Sequence, residues 1–154
     1  MVEVSIVGPG EGELIANGPS SRIRILEDGS NTNHRLGIGE VVIPPHTPGP
    51  PQHRHAQHDE GFYVLSGNVR FTIGLDNHDV GAGTWVTVPP GAPHTFANVG
   101  DDPAVMLTTF TPDLYVQYFR DLKAMVESGQ PMTRETMTPI WKNYATEPST
   151  EFAP

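Results

Sequence analysis

Short apolar runs that alternate with polar positions recur through the first 110 residues, and clusters of glycine, proline, asparagine and serine separate them. Side chains on a strand point alternately to its two faces, so this two-residue period is typical of half-buried β-strands. The joints between the later runs are short, which favours antiparallel neighbours that close into a barrel or sandwich. The predicted strands cover residues 2–7, 22–27, 35–43, 52–56, 61–65, 69–73, 84–88, 95–99 and 104–110.

Two of the connecting segments carry predictions of their own. Residues 44–51 are dense in proline, which cannot donate a hydrogen bond to a neighbouring strand, so we expect an ordered, extended loop. Residues 75–83 are rich in turn-forming residues and are predicted to be a loop as well.

After the last strand the apolar residues change to a helical spacing over residues 114–126, and Gly129 follows where a helix would end. This pattern predicts one amphipathic helix. A second, weaker helix is predicted over about residues 133–144, although Pro139 would lie in its first turns or interrupt it. We expect both helices to pack on the outside or at an end of the barrel, and the residues from Thr146 onward to form a frayed tail.

The length of 154 residues suits one domain with one core. We therefore predict a single all-β domain over residues 1–154, with a barrel over about 2–110 and a helical segment over about 112–145. We therefore look for one functional site.

The composition excludes several classes of partner and of chemistry. The 9 basic and 18 acidic residues give a formal charge of −9, which repels nucleic acid and anionic lipid surfaces, so neither is an expected partner. The chain contains no cysteine, which excludes disulfides, a thiol nucleophile and a thiolate-bound metal. No apolar stretch is long enough for a signal peptide or a membrane span, so we expect a soluble, cytoplasmic protein.

Three histidines and one glutamate in the strand-rich region form a candidate metal site. His53 and His55 lie two residues apart on a predicted strand, so their imidazoles project from the same face. Glu60 follows after a four-residue joint, where a hairpin would return its carboxylate to the same pocket, and His94 follows a stiff, proline-rich turn. Three imidazoles and one carboxylate suit a divalent transition metal (Fe, Mn, Ni, Co, Cu or Zn) and leave coordination positions open for water, dioxygen or substrate. The alternative is that each histidine is an ordinary surface or core residue, which is the commoner role of an isolated histidine on a strand.

These same residues carry a resemblance to the cupin superfamily. His53, His55, Glu60 and Gly67 follow the spacing H-x-H-x4-E-x6-G of the first cupin motif, whose opening glycine is replaced here by Thr47. The second motif, G-x5-P-x-G-x2-H-x3-N, is complete. Its residues in this chain are Gly83, Pro89, Gly91, His94 and Asn98.

The single departure from the two motifs concerns a local turn. Thr47 stands at the expected glycine, and Gly49 lies two residues later.

We further expect Gly67 to adopt a positive φ in its hairpin, and Asn98 to hydrogen-bond a loop.

The resemblance implies a cupin-type jelly-roll β-barrel with one or two C-terminal helices, and one metal ion bound by His53, His55, Glu60 and His94. The chain is similar to single-domain, quercetinase-like dioxygenases, which implies an enzyme acting with dioxygen on a phenolic, flavonol-like or enolisable substrate, and Glu60 as both ligand and base. Related cupins perform non-redox cyclisation, isomerisation or lyase chemistry, or bind a metal or ligand without catalysis, and these alternatives stay open. The resemblance also implies a homodimer. His58, between the ligands, is expected to be a solvated loop residue, and the alternative that it is a further metal ligand stays open.

Strand parity places candidate substrate-pocket residues beside the ligands. Phe62 and Val64 share the strand face of Glu60, and Phe96 shares that of His94. An apolar lining implies a small organic substrate in a pocket that excludes water. The alternative is that these are ordinary core residues.

Overall fold

The computed structural model describes residues 3–16, 21–149 and 151, which form antiparallel sheets followed by two helices. The six-stranded sheet has the order β1-β2-β3-β11-β6-β9, the four-stranded sheet β4-β10-β7-β8, and a two-stranded sheet pairs β12 with β5. This architecture confirms the predicted all-β jelly roll with C-terminal helices. The strands are β1 (Glu13–Ala16), β2 (Arg22–Glu27), β3 (Gly37–Ile43), β4 (Thr47–Pro48), β5 (His53–His55), β6 (Asp59–Ser66), β7 (Asn68–Ile73), β8 (Asp76–Gly81), β9 (Trp85–Val88), β10 (Thr95–Asn98), β11 (Ala104–Thr111) and β12 (Thr146–Pro148), and the helices are α1 (Tyr115–Glu127) and α2 (Arg134–Asn143).

The core lies between the two larger sheets and follows from the alternation of their strands. Along β3 and β11 every second residue is buried, as the two-residue period requires. Phe62 of β6 packs against Phe71 of β7 and Phe96 of β10, with ring centroids 5.2 and 5.8 Å apart. Because β6 belongs to one sheet and β7 and β10 to the other, these aromatic contacts join the sheets.

Two of the predictions at strand level are wrong. Residues 3–7 form no strand, and Val4 and Ile6 are 88% and 86% exposed because no sheet covers them; Val2 lies outside the described residues. Residues 75–83 are not a loop, since β8 pairs with β7 along its whole length. β8 is a mostly exposed edge strand with polar side chains, so it has no apolar alternation by which a sequence pattern could identify it.

The chain after the helices is also more ordered than predicted. Residues 146–148 are not frayed: they form β12, which pairs antiparallel with β5 so that Thr146 lies opposite His55 and Pro148 opposite His53. Both helices are present as predicted, and α2 continues through Pro139. Among the described residues, neither helix combines the length and apolar character needed to cross a membrane.

The turns around the second motif match the expectations for two residues. Gly67 has a φ of 74°, which confirms its predicted positive φ. Asn98 donates to the carbonyl oxygens of Ile43 and Asp102 at 3.0 and 2.8 Å and accepts from the amide of Gly100 at 3.0 Å, which confirms that it binds a loop.

Thr47 replaces the glycine of the first motif, and the backbone of Gly49, two residues later, lies close to another strand. A Cβ at this position would overlap the backbone carbonyl of Phe96, which cannot move aside as a flexible side chain could. We expect Gly49→Ala to lower the free energy of unfolding by about 1–3 kcal/mol, and the melting temperature by several degrees, measured by thermal denaturation. Gly100→Ala is the matched control, because the nearest atom to its added Cβ, Asn98 Oδ1, would lie 3.5 Å away. Equal melting temperatures for the two variants would contradict the close contact at Gly49.

Candidate metal centre

Three strands bring the four candidate ligands together. His53 and His55 lie on β5, Glu60 lies on β6, and His94 directly precedes β10. The backbones of His53 and His94 exchange two hydrogen bonds of 3.1 and 2.9 Å, which holds the two motifs side by side. All four side chains are buried, so the cluster is a desolvated polar site inside the barrel.

The imidazoles converge on one carboxylate oxygen. Nε2 of His55 and Nε2 of His94 each lie 3.0 Å from Oε2 of Glu60. The potential ligand atoms of His53, His55 and His94 lie within 4.8 Å of one another, which is compact enough for one ion.

Backbone carbonyls orient two of the imidazoles. Nδ1 of His53 lies 2.8 Å from the carbonyl oxygen of Pro51, and Nδ1 of His94 lies 3.0 Å from that of Ala92. A carbonyl oxygen only accepts, so both rings carry the hydrogen on Nδ1 and direct Nε2 into the cluster.

A side-chain hydroxyl orients the third imidazole. Nδ1 of His55 lies 2.8 Å from Oγ1 of Thr146, and that hydroxyl donates its own hydrogen to the carbonyl oxygen of Tyr144 at 3.1 Å. Oγ1 therefore accepts from His55, which leaves Nε2 of His55 facing Glu60. Thr146 was missed by sequence reasoning because its segment was predicted to be a frayed tail.

The burial of these groups and their mutual hydrogen bonds shift their pKa values in opposite directions. Burial lowers the pKa of His53 to about 3, helped by the neighbouring charges of His94 and His55. Burial raises the pKa of Glu60, but the hydrogen bonds from His55 and His94 outweigh it and hold the pKa well below its usual range. Burial lowers the pKa of His94, but the hydrogen bond to Glu60 outweighs it, so the pKa of His94 is raised. The site therefore favours an ionised carboxylate with positive charge placed beside it.

His58 does not lie where it was predicted. It is 1% exposed and so is not a solvated residue. Its ring lies 4.3 Å from that of His55 and 4.9 Å from that of Tyr115, between centroids. Neither ring nitrogen has a hydrogen-bond partner among the described residues, and burial lowers the pKa of His58 to about 4.

A cavity of about 230 Å³ opens on the cluster. His53, Glu60 and His94 line it, whereas His55 and His58 are not among its lining residues. Of the predicted pocket residues, Phe62 and Phe96 line the cavity. Val64 is fully buried but does not line it, so its position is that of a core residue.

The helices supply part of the cavity wall, which the sequence did not indicate. Tyr115 and Tyr118 of α1 line the cavity, and Trp141 of α2 donates from Nε1 to the Tyr118 hydroxyl at 3.1 Å. Burial raises the pKa of Tyr115 well above its ordinary value and that of Tyr118 to about 12, so both hydroxyls keep their hydrogen. The available signal was the spacing of two tyrosines three residues apart on an amphipathic helix, since a buried hydroxyl needs a polar partner.

Buried His58 predicts a pH-dependent stability for the metal-free protein. In the unfolded chain His58 titrates near 6.5 and in the folded protein near 4, so between these values the unfolded state binds more protons and the fold loses stability as the pH falls. His58 alone contributes a loss of about 3 kcal/mol across this interval. Urea unfolding of metal-free protein from pH 7 to pH 4 measures it, and His58→Phe is expected to show a shallower slope. Equal slopes for the wild-type protein and the variant would rule out this origin.

Comparison with known proteins finds a family match over much of the barrel. Residues 39–110 match the cupin domain family model. An uncharacterized protein of Streptomyces coelicolor is 36% identical over 62 residues, which are 40% of this chain and 58% of that protein, so the chain spans little more than half the length of this relative.

Solved structures extend the likeness to the fold. A putative sugar phosphate isomerase of Acidithiobacillus ferrooxidans is 26% identical with a TM-score of 0.52, over 58% of this chain and 59% of that one. An RmlC-like cupin of Shewanella frigidimarina is 22% identical with a TM-score of 0.59, over 73% of this chain and 95% of that one. The family match thus covers residues 39–110, and the likeness to the solved structures is one of fold.

Proposed function

We propose that this chain is a metal-dependent enzyme for a small, largely apolar organic substrate, with one divalent transition metal bound by His53, His55, Glu60 and His94. The observation that carries the proposal is the convergence of two imidazole Nε2 atoms on one buried carboxylate oxygen, each at 3.0 Å.

The arrangement of hydrogen atoms supports a cation in the cluster. Because the Nδ1 hydrogens of His53, His55 and His94 are engaged elsewhere, a neutral ring of His55 or His94 would direct a lone pair at the carboxylate of Glu60. Such a contact is stable only with a proton or a metal ion between the two atoms. A spacing of 3.0 Å also suits two neighbouring donors that are both about 2.1 Å from one ion. Three nitrogens and one oxygen suit Fe, Mn, Ni, Co, Cu or Zn, and suit Mg and Ca poorly.

A bound ion of this kind would supply Lewis acidity at the cavity and, where the metal is redox-active, access to dioxygen chemistry. Glu60 would supply the base. While the carboxylate of Glu60 accepts hydrogen bonds from His55 and His94, its pKa is low. If the carboxylate moved away from both rings, only the effect of burial would remain, and burial raises the pKa. Glu60 could then take a proton from a phenolic or enolisable substrate in the cavity, which it lines.

The cavity wall supports an apolar substrate. Arg22, which is exposed, is the only lysine or arginine among the described lining residues, so a phosphate group would find little positive charge there. Phe62 and Phe96 offer aromatic surface. The hydroxyls of Tyr115 and Tyr118 could orient a few substrate oxygens. So could that of Thr108, which is buried and has no hydrogen-bond partner in the described part of the chain.

Dioxygenase chemistry on a phenolic, flavonol-like or enolisable substrate is the reaction that we propose first, because a mostly apolar cavity beside a redox-active metal suits both such a substrate and dioxygen. The second candidate is non-redox isomerisation or cyclisation, which needs only the Lewis acid and the base. The 26% identity to a putative sugar phosphate isomerase favours this candidate. Dioxygen consumption by metal-loaded protein with a panel of phenols and diketones distinguishes the two.

The role of Glu60 is testable by Glu60→Gln. We expect turnover of an active substrate to fall at least ~100-fold, because the amide cannot accept the proton, while the three imidazoles keep the metal bound. Turnover and metal content by elemental analysis are the measurements. Glu135→Gln, at an exposed position in the first turn of α2, is the control and should retain both. Full activity of Glu60→Gln would remove Glu60 as the base.

The role of Thr146 is testable by a pair of variants. Thr146→Val removes the acceptor for His55 Nδ1, so we expect metal affinity to fall about 10–100-fold, as for other groups that orient a metal-binding histidine. Thr146→Ser keeps the hydroxyl and should restore most of the affinity. Titration with a divalent metal measures both, and equal affinity for the Val and Ser variants would show that the hydroxyl does not orient His55.

A further inference from the structure

The four proposed ligands leave one imidazole unexplained. His58 is 1% exposed, and both of its ring nitrogens are buried without a hydrogen-bond partner among the described residues. Buried polar atoms are almost always paired, so an unpaired imidazole in a folded protein calls for a water molecule, an ion or another group to complete it. Its setting suggests which ligand.

His58 lies beside the proposed metal ligands His55 and Glu60. Its ring lies 4.3 Å from that of His55, and the aromatic rings of Tyr115 and Phe110 lie 4.9 and 6.1 Å away between centroids. The potential ligand atoms of His55, His58 and Glu60 all lie within 4.8 Å of one another. That is only slightly wider than the ~4 Å between two donors on opposite sides of one ion.

The two groups of potential ligands overlap at His55. One group contains His53, His55 and His94, and the other contains His55, His58 and Glu60. Nδ1 of His55 is bonded to Thr146, so Nε2 is the atom that this ring can offer to either group. One nitrogen lone pair binds one ion at a time, and the two groups are therefore alternatives for a single ion.

We propose that His58 is a fifth metal ligand, which with His55 and Glu60 forms an inner position for the same ion that His53, His55, Glu60 and His94 hold at the cavity. This inference rests on the proposed metal site. Two of the three inner ligands, His55 and His58, do not line the cavity, whereas two of the outer ligands, His53 and His94, do, so the inner position lies farther from the substrate than the outer one. His55 belongs to both groups, so the ion would keep at least this protein ligand in either position.

The experiment uses the full chain, stripped of metal and titrated with cobalt(II), whose visible absorption reports ligand number and type. The variants are His58→Phe, His58→Gln and, as a control, His78→Gln on exposed strand β8. We expect the wild-type protein and His78→Gln to bind one ion with the same spectrum. Both His58 variants should bind cobalt at least ~10-fold more weakly, the lower end of the effect of losing a supporting group at a metal site, and should show an altered spectrum.

Thermal denaturation separates a ligand from a packing residue. Replacing an unpaired imidazole with phenylalanine removes a buried polar group, so metal-free His58→Phe should melt at or above the wild-type temperature. If His58 is a ligand, the rise in melting temperature on adding cobalt should be smaller in the variant than in the wild type. His58→Gln keeps the test valid if the phenylalanine variant does not fold.

A second pair of variants tests the inner position directly. His94→Gln removes a ligand of the outer group only, so we expect weak cobalt binding to persist in it and to disappear in the double variant His94→Gln/His58→Phe. Unchanged cobalt affinity and spectrum in both His58 variants would overturn this inference and leave the four-ligand site standing. Two ions per wild-type chain would overturn the single shared ion. No cobalt binding by the wild-type protein would overturn the proposed function along with it.

Discussion

A single buried carboxylate oxygen organises the centre of this protein. Oε2 of Glu60 lies 3.0 Å from Nε2 of both His55 and His94, and burial of that charge is tolerated because the imidazoles face it. Each ring keeps its orientation only because an acceptor holds its Nδ1, from β12 for His55 and from the backbone before β10 for His94. A slip of one residue in the strands that carry these groups would turn them to the opposite face. The register of the small sheet β12-β5 is therefore as important to the site as the ligands themselves.

The part of the site that the sequence predicts is the part encoded by local spacing. His53 and His55 share a face because side chains on a strand repeat every two residues, and the short joint to Glu60 returns that carboxylate beside them. His94 belongs to a second spaced motif, and its pairing with His53 follows once the barrel closes. The barrel was predictable for the same reason, since most of its strands have one buried and one exposed face.

Long-range contacts and polar edges could not be predicted in this way. Thr146 reaches His55 across 91 residues of sequence, and no periodic pattern marks it. His58 was predicted to be a solvated loop residue between the ligands, but Phe110 and Tyr115, which arrive from β11 and α1, cover it. β8 has few apolar side chains because an edge strand needs none, so alternation gave no signal for it. In each case the outcome depends on what packs against the residue, not on the residue's own segment.

Two buried polar groups near the proposed ligands have no hydrogen-bond partner among the described residues. Within the ranges that the structure describes, the buried hydroxyl of Thr108, which lines the cavity, and the buried imidazole of His58, which does not, both lack a hydrogen-bond partner. A fold gains nothing in stability from such groups, and substitution by apolar residues would cost less. Two of the four described residues with such atoms, Thr108 and His58, lie beside the cavity and beside His55, where a protein can give up stability for binding. In the function that we propose, the cavity-side group would serve a substrate and the inner one an ion, and α1, which contributes Tyr115, would contact both.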